Sequence, residues 1–274
     1  MPARTETWEN LTLADNFIFC KVMETSPDLC KHLLEMLLHI EIDRLEAPQT
    51  ERAMQASISS KTVRFDVYTK SESRIFDLEM QTVRKTDIPR RTRYYQSMID
   101  VDNINRGVDY KQLKDTYIIF LCLDDLFGKG LPVYSFENIC DEDKSTKLQD
   151  GAYKVFFNAK ECDKLRSDEE RNFFKFLRGG NADDDFTRQL DEKISKIKRN
   201  SKWREQYMTI KQAFYDEIEE AAQLAAQANA IKNAQNLLRM NLGTYEQISQ
   251  AIGLPIEKID ELSRELGLQV ETAK

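Results

Sequence analysis

Asp66 and Glu79 stand in two short segments that alternate polar and apolar residues, and the spacing sets the two carboxylates side by side. In the first segment Val63, Phe65 and Val67 alternate with Arg64, Asp66 and Tyr68; in the second Phe76, Leu78 and Met80 alternate with Asp77, Glu79 and Gln81. A period of two marks strands, and the polar break Lys70-Ser71-Glu72-Ser73-Arg74 between them marks a hairpin. With a two-residue turn centred on Glu72-Ser73, Asp66 faces Glu79, Arg64 faces Gln81 and Tyr68 faces Asp77. Facing side chains share one side of the sheet, with Cβ atoms about 4.5–5.5 Å apart. The other side then carries Phe65 against Met80 and Val67 against Leu78, which reads as a core face.

Opposed like charges destabilise a hairpin, and a bound cation reverses that penalty. Hard divalent ions such as Mg²⁺ take oxygen ligands, commonly one or two carboxylates completed by water and phosphate oxygens. Such an ion polarises a phosphate and activates water. The chemistry such a pair could serve is metal-assisted attack of water on a phosphate, with Asp66 and Glu79 as candidate metal ligands. On spacing alone the pattern also describes an ordinary solvated hairpin face. Asp77, on the same side, reads as a solubilising carboxylate, and Asp15 as a helix-start residue.

Just after the Glu79 segment, Arg84, Lys85, Arg90, Arg91 and Arg93 are opposed only by Asp87, a local charge of +4 in a chain of net charge −7. A cationic patch beside a metal site suits phosphate contacts, which position DNA without reading its sequence. Tyr95, interleaved with the patch, reads as core. The acidic total argues against histone-like coating of DNA. Screening beyond roughly 8–10 Å still leaves a local patch effective.

The elements that must hold these residues follow from periodicity. Helix is predicted over 15–23, and again after Ser26-Pro27, carried by Leu29, Leu33, Met36, Leu37 and Ile40. A helix opened by Asp87 and Pro89 runs toward Gly107. A buried strand is predicted at 117–123, and shorter strands at 133–136 and 154–157. This order gives an α/β protein, a mixed central sheet flanked by helices. Beyond about 165 the chain reads as helical, with Gly179-Gly180-Asn181 and Asp183-Asp184-Asp185 as a break. Phe173, Phe174 and Phe176 read as core. One long helix is predicted over 203–240. Thr244 and Gln247 form a capping box, and Gly253-Leu254-Pro255 divides the last two helices. From 231 to 268 four basic residues meet five acidic ones, a poor footprint for DNA. Self-association or partner binding suits this region as well as a helix-turn-helix role.

At 274 residues and 41% hydrophobic content the chain can bury a core in one or two domains. The apolar run 118–123 is far too short to cross a bilayer, and no secretory signal is read at the N-terminus. Cys20, Cys30, Cys122, Cys140 and Cys162 form no CxxC, and His32 and His39 offer no zinc spacing. The expectation is a cytoplasmic protein with reduced cysteines and no membrane partner.

Three stretches carry a family resemblance: Val63-Arg64-Phe65-Asp66-Val67-Tyr68, then Asp77-Leu78-Glu79-Met80-Gln81, then Arg90-Arg91-Thr92-Arg93-Tyr94-Tyr95-Gln96-Ser97. They resemble the Rpn family of recombination-promoting nucleases, also labelled transposases, within the PD-(D/E)xK nuclease superfamily. The likeness continues through Tyr117-Ile118-Ile119-Phe120, Phe127-Gly128-Lys129-Gly130-Leu131-Pro132-Val133-Tyr134 and Phe156-Phe157-Asn158. It implies a restriction-endonuclease-like nuclease domain over 1–200 and a helical C-terminal region over 201–274. It makes Asp66 the first metal carboxylate and Glu79 the second, with Gln81 where the superfamily name has lysine. Glutamine orients by hydrogen bonds and brings no charge, so the general base stays open. The implied activity is Mg²⁺-dependent DNA cleavage (Mn²⁺ or Ca²⁺ being other candidate ions), in recombination, mobile-element or defence biology. The alternatives are a true transposase and a DNA-binding or assembly protein on an inactive nuclease fold. A homodimer is expected, because two opposed DNA strands call for two equivalent sites.

Overall fold

The structure, a computed structural model, describes residues 7–55 and 60–268. The described chain divides into two compact units at 204/205, within the longest helix.

The first unit is built on six strands: β1 (Gln49–Met54), β2 (Val63–Lys70), β3 (Arg74–Gln81), β4 (Asp115–Cys122), β5 (Val133–Phe136) and β6 (Ala152–Asn158). Their order across the sheet is β1-β2-β3-β4-β6-β5. The β3–β4 and β4–β6 pairs are parallel and the rest antiparallel. The predicted mixed sheet is therefore present. The parallel step from β3 to β4 is bridged by α3 (Ile88–Asn103), as parallel strands require a crossover. Pro89 opens this helix, where a missing N–H costs nothing. It ends at Asn103, a turn short of the predicted Gly107.

Helices cover both faces. Phe156 of β6 lies in the cluster that Ile88, Tyr95, Met98 and Ile99 of α3 form with Ile118 and Phe120 of β4. Its neighbour Phe157 points the other way and stacks on Phe174 at 5.4 Å. Phe174 belongs to α4 (Asp168–Leu177), which packs with α1 (Asn16–Thr25), α2 (Pro27–Leu38) and α5 (Asp185–Lys198) into a helical layer. The two strands buried between the layers, β4 and β6, show the unbroken apolar runs that double coverage demands. Phe173, Phe174 and Phe176 are buried, as their pattern predicts.

The second unit holds most of α6 (Ser201–Arg239), with α7 (Tyr245–Ile252) and α8 (Ile256–Glu265). Ala234, Leu238, Ile248, Ile259 and Leu262 form its small core. The predicted Thr244–Gln247 capping box opens α7, and Gly253 in the left-handed region closes it.

Candidate active site

The hairpin turns at Glu72-Ser73: the Ser71 amide donates to the Arg74 carbonyl at 2.8 Å. The β2–β3 ladder then runs from Lys70↔Ile75 through Tyr68↔Asp77 to Val67↔Leu78, the predicted register. It stops one pair short of Asp66 and Glu79. There the two carboxylates stand in for backbone carbonyls. The Met80 amide donates to Asp66 Oδ2 at 2.9 Å, and the Asp66 amide donates to Glu79 Oε1 at 3.0 Å. Each strand thus holds the other's carboxylate through main-chain N–H groups.

This opening shifts the side chains of β2. Phe65 and Tyr68 both lie in the cluster under α3, with ring centroids 5.7 Å apart. Strict alternation would put residues three apart on opposite faces. The expectation that Phe65 packs with Val67 on one core face is therefore corrected. The slip sits at Asp66, and Glu51, which lies opposite on β1, has a left-handed φ of 52°.

The side read as solvated is also corrected. Asp77, Glu79 and Gln81 pair in register with Ile118, Phe120 and Cys122 of β4, beneath α3. Asp77 is fully buried, Glu79 is 3% exposed and Gln81 8%. Asp77 is no solubilising carboxylate. Neither of its oxygens meets a donor among the described residues. Its acidic neighbour is Glu79, whose charge adds to burial in disfavouring the Asp77 carboxylate.

Burial dominates the electrostatics here. It pushes Asp66 up to about 6, against the Met80 amide and the Asn16 side chain, which favour its charge. Burial and then the Asp66 charge push Glu79 up to about 8, opposed by the Asp66 amide and Arg91. Burial, with the charges of Glu79 and Asp66, raises Asp77 well above the carboxylate range.

The helices contribute residues that sequence reasoning did not single out for these roles. Asn16, at the start of α1, reaches Asp66, and the Cys20 thiol donates to the Asp66 carbonyl at 3.2 Å. Asp15 is the helix-start residue expected. Arg91 of α3 places Nη2 3.4 Å from Glu79 Oε2 and donates to the Tyr95 hydroxyl at 2.7 Å. It stands apart from the rest of the basic run. Arg84, Lys85, Arg90 and Arg93 are exposed, whereas Arg91 turns inward over the rings of Tyr95 and Phe120. Its position was legible: Ile88, Tyr95 and Ile99 define the covered face of the helix, and Arg91 falls on it. Gln81 donates its amide to the Val83 carbonyl and so lies along the exit of β3. The positive charge nearest the carboxylates is therefore that of Arg91.

Among the described residues no three His, Cys, Asp or Glu side chains form a group that could hold a metal ion. A hard divalent cation needs fewer protein ligands, since water and phosphate complete its shell. Half-buried Asp66 and buried Glu79, all oxygen donors with one basic neighbour, fit that requirement.

Residues 16–236 match the family described as PD-(D/E)XK nuclease family transposase. No curated protein and no solved structure matches the chain.

The raised carboxyls give stability a definite pH dependence. Between their ordinary values, 3.8 and 4.5, and their folded values the native chain binds more protons than the unfolded one. Stability therefore falls as pH rises from about 4 to about 8. Thermal melting without divalent ions should show this decline across that window. Asp77→Asn removes one buried acid and should flatten its upper part. A melting temperature that rises from pH 6 to 8 in the metal-free protein would show that the carboxyls are not held protonated.

Proposed function

The chain belongs to the PD-(D/E)XK nuclease transposase family, and from that premise we propose that it is a metal-dependent DNA endonuclease. Its mixed six-stranded sheet with flanking helices is consistent with a restriction-endonuclease-like α/β fold. Membership supports nuclease or transposase-like chemistry on DNA. The finer reading rests on one observation: two acidic side chains, each bonded to a main-chain amide of the facing strand, stand together with Glu79 buried and Asp66 half-buried, and of the two Arg91 pairs with Glu79 alone.

In this reading Asp66 and Glu79 hold a divalent cation, Mg²⁺ foremost, with Mn²⁺ or Ca²⁺ as substitutes. When bound, the ion supplies Lewis-acid polarisation of the scissile phosphate and an activated water. The chain's own groups do the rest. The Met80 and Asp66 amides fix the ligand carboxylates, so little ordering remains for the bound state. Arg91 neutralises Glu79 and stands where a phosphate oxygen approaches. Tyr95, whose hydroxyl burial pushes up to about 12, stays protonated and keeps Arg91 in place. Burial and the Glu79 charge favour the neutral form of Asp77. Arg84, Lys85, Arg90 and Arg93 offer exposed charge for the DNA backbone. Gln81 orients groups at the strand end.

A homodimer belongs to the same reading. Ile210, Phe214 and Ile218 recur every four residues along α6 and are 44–59% exposed. A second copy of this helix would cover them and present two sites to two strands. A recombination, mobile-element or defence setting and a cytoplasmic location complete the proposal. Among the described residues no helix is long and apolar enough to cross a membrane.

Asp66→Ala and Glu79→Ala should each lower nicking of supercoiled plasmid in Mg²⁺ by about a thousandfold, roughly 4 kcal/mol of barrier. Gln81→Ala should lower it by about tenfold. Near-normal nicking by either carboxylate variant would refute the site.

Neutralising Arg84 and Arg90 should weaken binding to all duplexes alike. It should reduce the salt slope by about 0.9 for each phosphate that is no longer neutralised. An unchanged slope would turn this patch away from DNA.

Light scattering should find a dimer that Phe214→Glu converts to monomer. A monomeric parent chain, at concentrations where it linearises plasmid, would remove pairing from the mechanism.

A further inference from the structure

A cavity of about 600 Å³ lies under the other flank of α3, against β5 and β6. Its floor is aromatic. Phe127, Phe136 and Phe156 meet with ring centroids 5.2–5.7 Å apart, and Phe136 is 45% exposed. Its wall carries Gln96. That amide donates to Asp100 at 3.0 Å, while its Oε1 is buried and accepts from no donor among the described residues. A buried acceptor without a donor is uncommon and marks a place for a bound group. Arg93, Lys114 and Lys154 line the cavity together with Asp100 and the exposed Asp150.

The register ties this cavity to the carboxylates. Glu79 pairs with Phe120, and Phe120 with Phe156, so the three stand in one row beneath α3. Phe156 is two strand spacings from Glu79, about 10 Å. That distance is within a few nucleotides along a DNA strand. One helix serves both places: Arg91 turns to Glu79, and Arg93 and Gln96 turn to the cavity.

We propose that this cavity receives the base of an unpaired or extruded nucleotide of the strand whose phosphate lies at Asp66 and Glu79. The inference rests on the DNA reading above. A base presents a π-face to aromatic side chains whatever its identity. Its edge carries N–H donors that suit the open acceptor of Gln96. The aromatic floor offers a phosphate no donor, so the base end enters and the phosphate stays near Arg93. A stacked, paired base cannot reach the floor. Extrusion is easiest where pairing is already absent, so the cavity selects DNA with an unpaired nucleotide.

The test is equilibrium binding in chelator, where the DNA stays whole. Two duplexes are compared, one fully paired and one with a single bulged 2-aminopurine. The bulged duplex should bind about tenfold more tightly, the size of one base–aromatic contact. Its fluorescence should be quenched as the base stacks. Phe136→Ala and Gln96→Ala should each bring the two duplexes to the same affinity and restore the fluorescence. Both variants change residues outside the tightly packed core, and circular dichroism checks that they fold. Equal affinities for the parent protein, with unchanged fluorescence on binding, would overturn the inference and leave the DNA reading standing. Variants that keep the full preference would also overturn it. Failure to bind either duplex would overturn the DNA reading and this inference with it.

Discussion

The exchange of hydrogen bonds across the open end of the hairpin is the constraint on which the rest of the site depends. Asp66 accepts from the Met80 amide, and Glu79 accepts from the Asp66 amide. These bonds replace ladder bonds, so the strands stay joined while their carboxylates stay aimed. Charge-assisted bonds of this kind are short and about twice as strong as neutral ones. They weaken when the acceptor is protonated. The geometry is therefore best maintained in the charged form, which burial opposes. Arg91 offsets part of that conflict at Glu79.

Much of this arrangement was legible from alternation. The hairpin, its turn and its register follow from where polar and apolar residues fall, and the facing positions of Asp66 and Glu79 follow from the register. Two things did not. A period of two states which residues share a side, but not whether water or a helix covers that side. Asp77 and Glu79 look like surface residues because acids usually are. Here α3 lies over them. The slip between Phe65 and Tyr68 was hidden for a different reason. It arises from side chains bonding to main chain, an interaction that residue type alone does not place.

The edge strand β1 escaped a periodic reading because Gln49-Thr50-Glu51-Arg52-Ala53 has little apolar side to repeat. Polar edge strands are a common defence against pairing with other chains. By contrast β4, buried on both faces, announces itself as an apolar run. In the C-terminal helices, capping and glycine signals placed the boundaries well because they act locally. Long-range coverage, the decisive factor for the carboxylates, has no local signal.

Helix α3 carries more of the function than the strands suggest. Glutamine at position 81 brings no charge, and its amide is engaged by the Val83 carbonyl. The cation nearest the carboxylates comes from Arg91, held by a hydroxyl one turn along the same helix. A charge on a rigid helix is fixed by packing, since Ile88, Tyr95 and Ile99 anchor that face in the core. The exposed arginines before and after it then extend the same positive surface outward. At the inner end of that surface stands an arginine already paired to a carboxylate.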